Sequence, residues 1–166
     1  TYGASQRGGS VMSHVRVSRR RQFGPLMPPG SADLVISLEP TEAARVLGTF
    51  GNPQTVSVVN TRPVQPVDVI CGDLTYPPID LLFAKIRSLS SKSFFLPATD
   101  KALELGNPIL ANVVLLGAVA GANLLPISVQ GLEKAVTDYM SAEKVPINRS
   151  AFLCGVEMVK NSQSAG

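Results

Sequence analysis

Three short apolar runs, each followed by a helical pattern, constrain the fold of this chain most strongly. The runs at residues 33–38, 55–59 and 93–96 are rich in β-branched and aromatic side chains, as interior strands are. A strand, a helix and a second strand in succession build a parallel sheet with helices packed on its faces. The sequence therefore predicts an α/β fold with three layers, in which a mostly parallel (mixed) sheet has helices on both faces.

The predicted helix after the first run has clear start signals. Pro40 suits the first helical position, and Glu39 and Glu42 place negative charge at the positive end of the helix dipole. Gly48 predicts the end of this helix. Asn60 ends the second run and so lies at the carboxyl edge of the sheet, where open α/β sheets usually hold their ligands.

Two further segments have strand patterns. Residues 11–17 follow a glycine-rich turn and alternate Val11, Val15 and Val17 with more polar side chains, which predicts a strand. Four prolines interrupt residues 61–78, so we expect an extended connection there, with a short strand at residues 67–71.

The most apolar part of the chain, residues 108–122, is predicted to be a buried helix. It is shorter than the roughly 20 residues of a membrane span, so a core or subunit-interface helix is favoured over a span. Asn107 is expected to cap it, and Asn112 to be buried and bonded to a neighbouring backbone segment. Gly117 and Gly121 form a GxxxG motif, which we interpret as close packing of the helix on the sheet.

Helices are also predicted at residues 79–89, 99–106, 128–140 and 148–160. A chain of 166 residues is long enough for one substantial core. We therefore predict a single domain over residues 1–160 and a disordered tail over residues 161–166.

The sequence offers no complete catalytic or redox centre. His14 is the only histidine and lies among apolar residues, where a structural role is commoner than catalysis. Cys71 and Cys154 lie far apart and outside any CxxC motif, so neither a disulfide framework nor a metal site is predicted. Ser5 lacks the second glycine of a GxSxG nucleophile elbow, and no G-x-G-x-x-G or Walker A motif is present.

A partner chain is therefore expected to complete the function. Only 16 % of the residues are charged, against about 25 % in typical soluble domains. Part of the surface is accordingly expected to be buried against another subunit. Basic residues near the start lack interleaved aromatic residues or a reading motif, so nucleic-acid binding is not predicted.

One segment could hold an anion. In residues 7–10, two glycines beside the Arg7 guanidinium and the Ser10 hydroxyl can turn backbone N–H groups toward a phosphate or carboxylate. The same residues also suit an ordinary tight turn. A stand-alone module that binds a phosphorylated ligand such as CoA or a nucleotide, through this segment and Asn60, is thus a second hypothesis.

Ordered sequence blocks extend along nearly the whole chain. Together they resemble the gamma-type domain of the 2-oxoacid:ferredoxin oxidoreductases, and the Glu-Pro-x-Glu-Ala and Tyr-Pro blocks are most similar to the small (beta) subunits of indolepyruvate ferredoxin oxidoreductases. The blocks are Tyr2-Gly3-Ala4-Ser5-Gln6-Arg7-Gly8-Gly9-Ser10-Val11, Ser13-His14-Val15-Arg16, Leu38-Glu39-Pro40-Thr41-Glu42-Ala43, Val58-Val59-Asn60-Thr61, Tyr76-Pro77, Leu105-Gly106-Asn107-Pro108, Ala111-Asn112-Val113-Val114-Leu115-Leu116-Gly117-Ala118 and Ala151-Phe152-Leu153-Cys154-Gly155.

This resemblance implies a subunit of a cytoplasmic enzyme. Such an enzyme converts a 2-oxoacid, here indolepyruvate or another arylpyruvate, and CoA into acyl-CoA and CO2, and passes electrons to ferredoxin. The resemblance also implies that thiamine diphosphate, Mg and the iron–sulfur clusters belong to a large (alpha) partner subunit on which this chain docks. A first strand, which relatives carry before the Tyr-Gly block, is expected to be missing here.

The candidate residues fall into two groups, and no catalytic residue or metal ligand is expected among them. The first group is expected to contact an anion, the CoA side of the active site or the partner, and comprises Gln6, Arg7, Gly8, Gly9, Ser10 and Asn60. The second group is expected to be structural, and comprises Tyr2, Gly3, His14, Glu39, Pro40, Asn107, Asn112 and Gly117.

Overall fold

A computed structural model describes residues 11–18, 22–65 and 67–164, and these alternate strands with helices as predicted. Because each strand is followed by a helix, the strands can all run in the same direction. The elements are β1 (Leu34–Ser37), α1 (Pro40–Phe50), β2 (Val56–Asn60), α2 (Val67–Ile70), α3 (Ile79–Ser88), β3 (Lys92–Leu96), α4 (Ala98–Glu104), a 3-10 turn (Pro108–Leu110), α5 (Ala111–Gly121), α6 (Val129–Asp138) and α7 (Val145–Ser164).

The three described strands form one parallel sheet in the order β1-β2-β3. On one face, Val35 and Val59 pack with residues of α1 and α3. On the other face, Val58, Phe94 and Leu96 pack with α5 and α7. Successive strand residues point to opposite faces, so the central strand β2 contributes to both cores. The predicted α/β architecture with helices on both faces is therefore confirmed.

Helices α5 and α7 cross so closely that only glycine fits at the contact. A Cβ atom placed on Gly117 would lie 1.9 Å from the Phe152 carbonyl oxygen, and one on Gly155 would lie 1.9 Å from the Val114 carbonyl oxygen. Gly121 meets α7 in the same way, at 2.8 Å from the Val156 carbonyl oxygen. The GxxxG motif thus serves a close backbone approach, as predicted, but the partner is a helix and not the sheet.

The apolar segment is a short buried helix. Asn107 caps the 3-10 turn that leads into it, because the Asn107 side chain accepts a hydrogen bond from the Ile109 N–H at 3.0 Å. Asn112, predicted to be buried, is exposed on α5, since it occupies the solvent-facing side of an otherwise buried helix. No helix within the described ranges is long and apolar enough to cross a membrane.

The strand predicted at residues 11–17 is wrong: residues 11–18 have no regular secondary structure and pair with no strand in the described part of the chain. Side chains hold this segment in place. The His14 Nδ1 atom accepts a hydrogen bond from the Met27 N–H at 2.9 Å, and the His14 ring contacts Phe50 edge-on. Arg16 donates to the Leu26 carbonyl oxygen at 3.0 Å. The alternation is real, but it places the valines toward solvent.

Three boundaries also differ from the predictions. Residues 67–70 form a helical turn and not a strand, because no strand lies beside them and the Cys71 N–H bonds locally to the Val67 carbonyl oxygen at 2.8 Å. Gly48 lies inside α1, which ends at Phe50. Helix α7 continues to Ser164, so residues 161–164, predicted to be a disordered tail, are helical.

Candidate functional site

The carboxyl edge of the sheet brings together the polar side chains that follow the three strands. Glu39 comes after β1, Asn60 ends β2, and Thr99 lies in the first turn of α4, the helix that follows β3. Parallel strands end at the same edge, so residues far apart in the sequence meet there. This edge is the candidate functional site.

Glu39 organises the first part of the site. Its buried carboxylate caps α1 by accepting a hydrogen bond from the Glu42 N–H at 2.9 Å. The same carboxylate accepts hydrogen bonds from the hydroxyl groups of Thr41 and Tyr76. Pro40 occupies the first helical position, as predicted. The Glu39 carboxylate is thus committed to three donors of the protein itself.

Tyr76 fastens a distant part of the chain to this carboxylate. Burial, and then the hydrogen bond and the negative charge of Glu39, raise the pKa of the Tyr76 hydroxyl above its ordinary value. The neutral phenol is therefore the form that the fold favours. Its role is to hold the start of α3 against the start of α1, because Tyr76 lies just before α3.

Asn60 joins all three strand ends. Its Nδ2 atom donates to the Leu38 carbonyl oxygen at 3.0 Å and to the Thr99 hydroxyl at 2.9 Å, and its Oδ1 atom accepts from the Thr99 N–H at 3.1 Å. The residue is only 1 % exposed. Contact between Asn60 and a ligand remains a prediction, and in this geometry the amide would have to give up internal hydrogen bonds to make it.

An ion pair lies at the rim of the site. Arg62 and Asp100 approach to 3.2 Å between Nη1 and Oδ1, and both side chains are about half exposed. An exposed pair of this kind contributes about 0–1 kcal/mol. Beyond Arg62, the chain leaves the sheet and returns only at Tyr76. We refer to residues 62–75 as the 62–75 connection.

The other residues singled out from the sequence are dispersed. His14 lies near Phe50, at the opposite end of α1 from Glu39. Gly117 lies in the α5–α7 contact, and Asn107 and Asn112 lie at the start of α5. Residues outside the described ranges are Tyr2, Gly3, Gln6, Arg7, Gly8, Gly9 and Ser10.

Sequence reasoning missed the partners of Glu39 and Asn60. Tyr76 was recognised only as part of a Tyr-Pro block, and Thr99 only as the first residue of a predicted helix. The available signal was position, since Thr99 lies in the first turn of the helix after the third strand. The pairing of Tyr76 with Glu39 depends on how the 62–75 connection returns to the sheet, which no local pattern specifies.

The site is saturated with internal hydrogen bonds. Every buried side-chain nitrogen and oxygen in the described residues has a hydrogen-bond partner, and no three His, Cys, Asp or Glu side chains there form a group that could hold a metal ion. An iron–sulfur cluster is held by four Cys thiolates, whereas the whole sequence has two cysteines. The residues of this chain do not fit such a cluster.

Comparison with known proteins shows which family this chain resembles in sequence. The family model described as pyruvate ferredoxin/flavodoxin oxidoreductase matches residues 1–158. The chain belongs to this family. The resemblance of its sequence blocks is thereby confirmed.

The relatives of this oxidoreductase-family chain include proteins named indolepyruvate oxidoreductase subunit IorB. The one from Archaeoglobus fulgidus is 35 % identical over 155 residues, which are 93 % of this chain and 76 % of that protein. The one from Thermococcus kodakarensis is 32 % identical over 160 residues, which are 96 % of this chain and 78 % of that protein. The match therefore extends well beyond the carboxyl edge.

A solved structure shares the fold. The gamma subunit of a keto/oxoacid ferredoxin oxidoreductase from Geobacter sulfurreducens aligns with a TM-score of 0.53 at 20 % identity. The alignment covers 78 % of this chain but 64 % of that one. This likeness concerns the fold alone.

Proposed function

We propose that this chain is the small subunit of an indolepyruvate-type 2-oxoacid:ferredoxin oxidoreductase. One observation carries the proposal: 93 % of the chain matches a protein named an indolepyruvate oxidoreductase subunit. In the proposed reaction, a 2-oxoacid and CoA give acyl-CoA and CO2. Two electrons and one proton are released, and ferredoxin accepts the electrons.

Bond cleavage and electron transfer are assigned to a larger partner subunit. The carboxyl edge holds Glu39, Asn60 and Thr99, which form hydrogen bonds with other groups of this chain. It therefore offers no free nucleophile or base. The two cysteines are too few for an iron–sulfur cluster. We therefore propose that thiamine diphosphate, Mg and the clusters are held by the large (alpha) subunit, which binds the 2-oxoacid and transfers electrons to ferredoxin.

This chain contributes docking and substrate approach. Residues 6–10 (Gln6, Arg7, Gly8, Gly9 and Ser10) are proposed to contact the partner or a phosphate of CoA, because a guanidinium beside successive glycines is suited to binding an anion. Contact between Arg7 and CoA predicts that Arg7→Ala raises the KM for CoA of the complete complex and leaves its assembly intact. An unchanged KM for CoA would remove this role.

A reducing compartment, the cytoplasm, is proposed as the location. Cys71 and Cys154 are both free thiols, and Cys71 is exposed. Exposed free thiols persist in reducing compartments, whereas oxidising compartments favour disulfides. Fractionation of the native host should therefore recover the protein with other cytoplasmic proteins and with Cys71 reduced.

The test is co-expression with the gene of the larger subunit, followed by size-exclusion chromatography. The purified material is assayed for CoA-dependent dye reduction with indolepyruvate, phenylpyruvate and pyruvate. A coloured complex containing both chains, active with an arylpyruvate, is expected. A chain that elutes alone and adds nothing to activity would contradict the proposal, and would favour a stand-alone binding module, for which calorimetry with CoA is the next measurement.

A further inference from the structure

The 62–75 connection exposes almost all of its residues. Among its described members, only Val69 is even partly buried. Four aliphatic side chains, Val64, Val67, Ile70 and Leu74, are each between 58 % and 69 % exposed. Single exposed aliphatic residues are common on protein surfaces, but four within one connection are not scattered singly.

The connection does not gain its stability from the body of the domain. Helix α2, which it contains, has four residues and buries none of them. Isolated helices shorter than about 12 residues are marginal in water. Local hydrogen bonds shape it, including that from the Leu74 N–H to the Asp68 carbonyl oxygen at 3.1 Å. The connection is therefore shaped by its own hydrogen bonds, and no described part of the domain covers its four exposed aliphatic side chains.

Both ends of the connection are fixed to the carboxyl edge. At one end, the Thr61 N–H donates to the Leu96 carbonyl oxygen at 2.9 Å, which extends the β2–β3 pairing. At the other end, Tyr76 bonds to Glu39. Pro63 and Pro66 lie within the connection and restrict the unbound chain. Less conformational entropy is then lost when such a segment binds a partner.

The area fits one side of a protein interface. The four side chains and the half-exposed Leu38 at the base of the connection are its exposed apolar residues. The largest exposed apolar patch of a typical monomer is about 300–600 Å². A standard interface takes about 800 Å² from each partner. The connection can therefore supply the apolar centre of such an interface, with its polar rim added from neighbouring residues.

The charges favour a different chain over a second copy as the occupant. Asp68 and Asp73 are exposed in the same connection, and its one basic residue, Arg62, is already paired with Asp100 outside it. In a two-fold dimer built on this surface, each patch meets its own copy, and the two acidic pairs would be brought together. A partner with an apolar groove and basic residues at its rim avoids that repulsion.

We propose that the 62–75 connection docks into an apolar groove, with a basic rim, on the larger oxidoreductase subunit. This inference rests on the proposed function, which supplies the partner. The docking also places the carboxyl edge of the sheet, through Tyr76 and Glu39, against the larger subunit.

Cys71 provides a probe that requires no substitution. It lies in the connection and is exposed, whereas Cys154 on α7 is partly buried. Iodoacetamide labelling of the isolated chain and of the complete complex, with each cysteine quantified by mass spectrometry, measures the covering directly. Docking predicts that complex formation slows the labelling of Cys71 about tenfold or more, as expected for a thiol in a water-excluding contact.

A matched pair of variants measures the binding contribution. Ile70 is 69 % exposed in the connection, and Ile109 is 73 % exposed in the 3-10 turn after α4. Ile70→Asp is expected to weaken binding to the larger subunit about tenfold or more, whereas Ile109→Asp leaves binding unchanged. Both isolated variants should keep the wild-type circular dichroism spectrum and melting temperature, since neither side chain is buried.

The outcomes separate this inference from the proposed function. An active wild-type complex in which Cys71 labels as fast as in the isolated chain, and in which Ile70→Asp binds normally, overturns the docking surface alone. Failure of the wild-type chain to form a complex overturns both proposals. A dimer of the isolated chain that Ile70→Asp abolishes would make a second copy the occupant, and would also overturn the inference.

Discussion

The α5–α7 pair and the 62–75 connection are both rich in apolar residues, but the helix pair buries these residues and the connection exposes them. Eight of the residues of α5 are buried, and glycines on both helices let the backbones touch. The connection leaves four of its five aliphatic side chains exposed, and the fifth, Val69, is only partly buried. One region buries its apolar surface within the chain, whereas the other leaves most of its apolar surface exposed.

We expect the α5–α7 pair to determine the stability of the domain and the 62–75 connection to determine its binding to a partner. Packing faults in the helix pair should reduce the stability of the isolated chain, because the lost contacts are internal. Changes in the connection should leave that stability almost unaltered, because surface substitutions usually change it by less than about 0.5 kcal/mol. The two regions can therefore be tested independently.

The largest effect is expected at the helix crossing. Gly155→Ala places a methyl group 1.9 Å from the Val114 carbonyl oxygen, so α5 and α7 must move apart. We expect the free energy of unfolding to fall by about 3 kcal/mol, as in overpacked cores. Urea denaturation measures the change.

Gly48→Ala is the matched control for this substitution. Gly48 also lies inside a helix, but a Cβ atom there would meet nothing within 4 Å. Alanine is the better helix former, so this variant should be more stable by about 0.5–1 kcal/mol. Equal stabilities for Gly155→Ala and Gly48→Ala would show that the helices are not in close contact.

The next effect is expected at the carboxyl edge of the sheet. Asn60→Ala removes three hydrogen bonds and leaves the Leu38 carbonyl oxygen without its side-chain donor. The free energy of unfolding should fall by about 2–3 kcal/mol. Asn112→Ala, at an exposed position on α5, should be nearly neutral under the same denaturation conditions. If Asn60→Ala leaves the free energy of unfolding unchanged, the fold does not need these hydrogen bonds, and the wild-type amide is available to a ligand.

A smaller effect is expected where the connection returns to the sheet. Tyr76→Phe removes the hydroxyl that donates to Glu39 and should lower the free energy of unfolding by about 1 kcal/mol near neutral pH. Because the fold raises the pKa of Tyr76 above the 10.0 of a free tyrosine, the unfolded chain releases this proton first.

The contribution of Tyr76 should therefore be complete below about pH 10 and should decline as the pH rises further. Comparing wild-type and Tyr76→Phe denaturation at about pH 8 and about pH 11 measures this decline. A stability difference that grows with alkaline pH would contradict the hydrogen bond to Glu39.

The smallest effect concerns thiol reactivity in the isolated chain, without any change in stability. Burial is the main cause that raises the pKa of the Cys154 thiol, so less reactive thiolate forms there. Cys71, exposed in the connection, should react with a thiol reagent about tenfold faster. Cys71→Ser should remove the fast phase and Cys154→Ser the slow one; the reverse assignment would show that the connection is folded onto the domain.

The strand and helix order could be predicted from the sequence because each element has a local signal. The β-branched run at residues 55–59 and the start signals at Glu39 and Pro40 are examples: β2 lies within one residue of its prediction, and α1 begins at Pro40. Gly48 wrongly predicted the end of α1, because an exposed position inside a helix tolerates a glycine at a cost of about 1 kcal/mol.

The strand predicted at residues 11–17 failed for a different reason. Alternation shows that a segment is extended, but a strand also needs a neighbour to pair with, and the sequence pattern does not supply one. Here the His14 and Arg16 side chains bond to residues 24–27 in place of a ladder of backbone hydrogen bonds. Likewise, Asn112 was assigned to the core because its neighbours are apolar, although it faces solvent.

The position of the candidate site could be predicted from the sequence, but its hydrogen bonds could not. Asn60 was expected at the carboxyl edge because parallel strands end together, and it lies there. Its bonds to Thr99, 39 positions away in the chain, depend on tertiary packing. The exposure of Val64, Val67, Ile70 and Leu74 was equally invisible, since an apolar residue in a proline-rich stretch suits a core or a contact surface alike.

Titration of the purified larger subunit with this chain tests the central claim most directly. The rate of indolepyruvate- and CoA-dependent dye reduction is measured at each ratio of the two chains. Our account predicts almost no activity from either chain alone, and a rate that rises with added chain and saturates at a fixed stoichiometry. Full activity of the larger subunit without this chain would contradict the account.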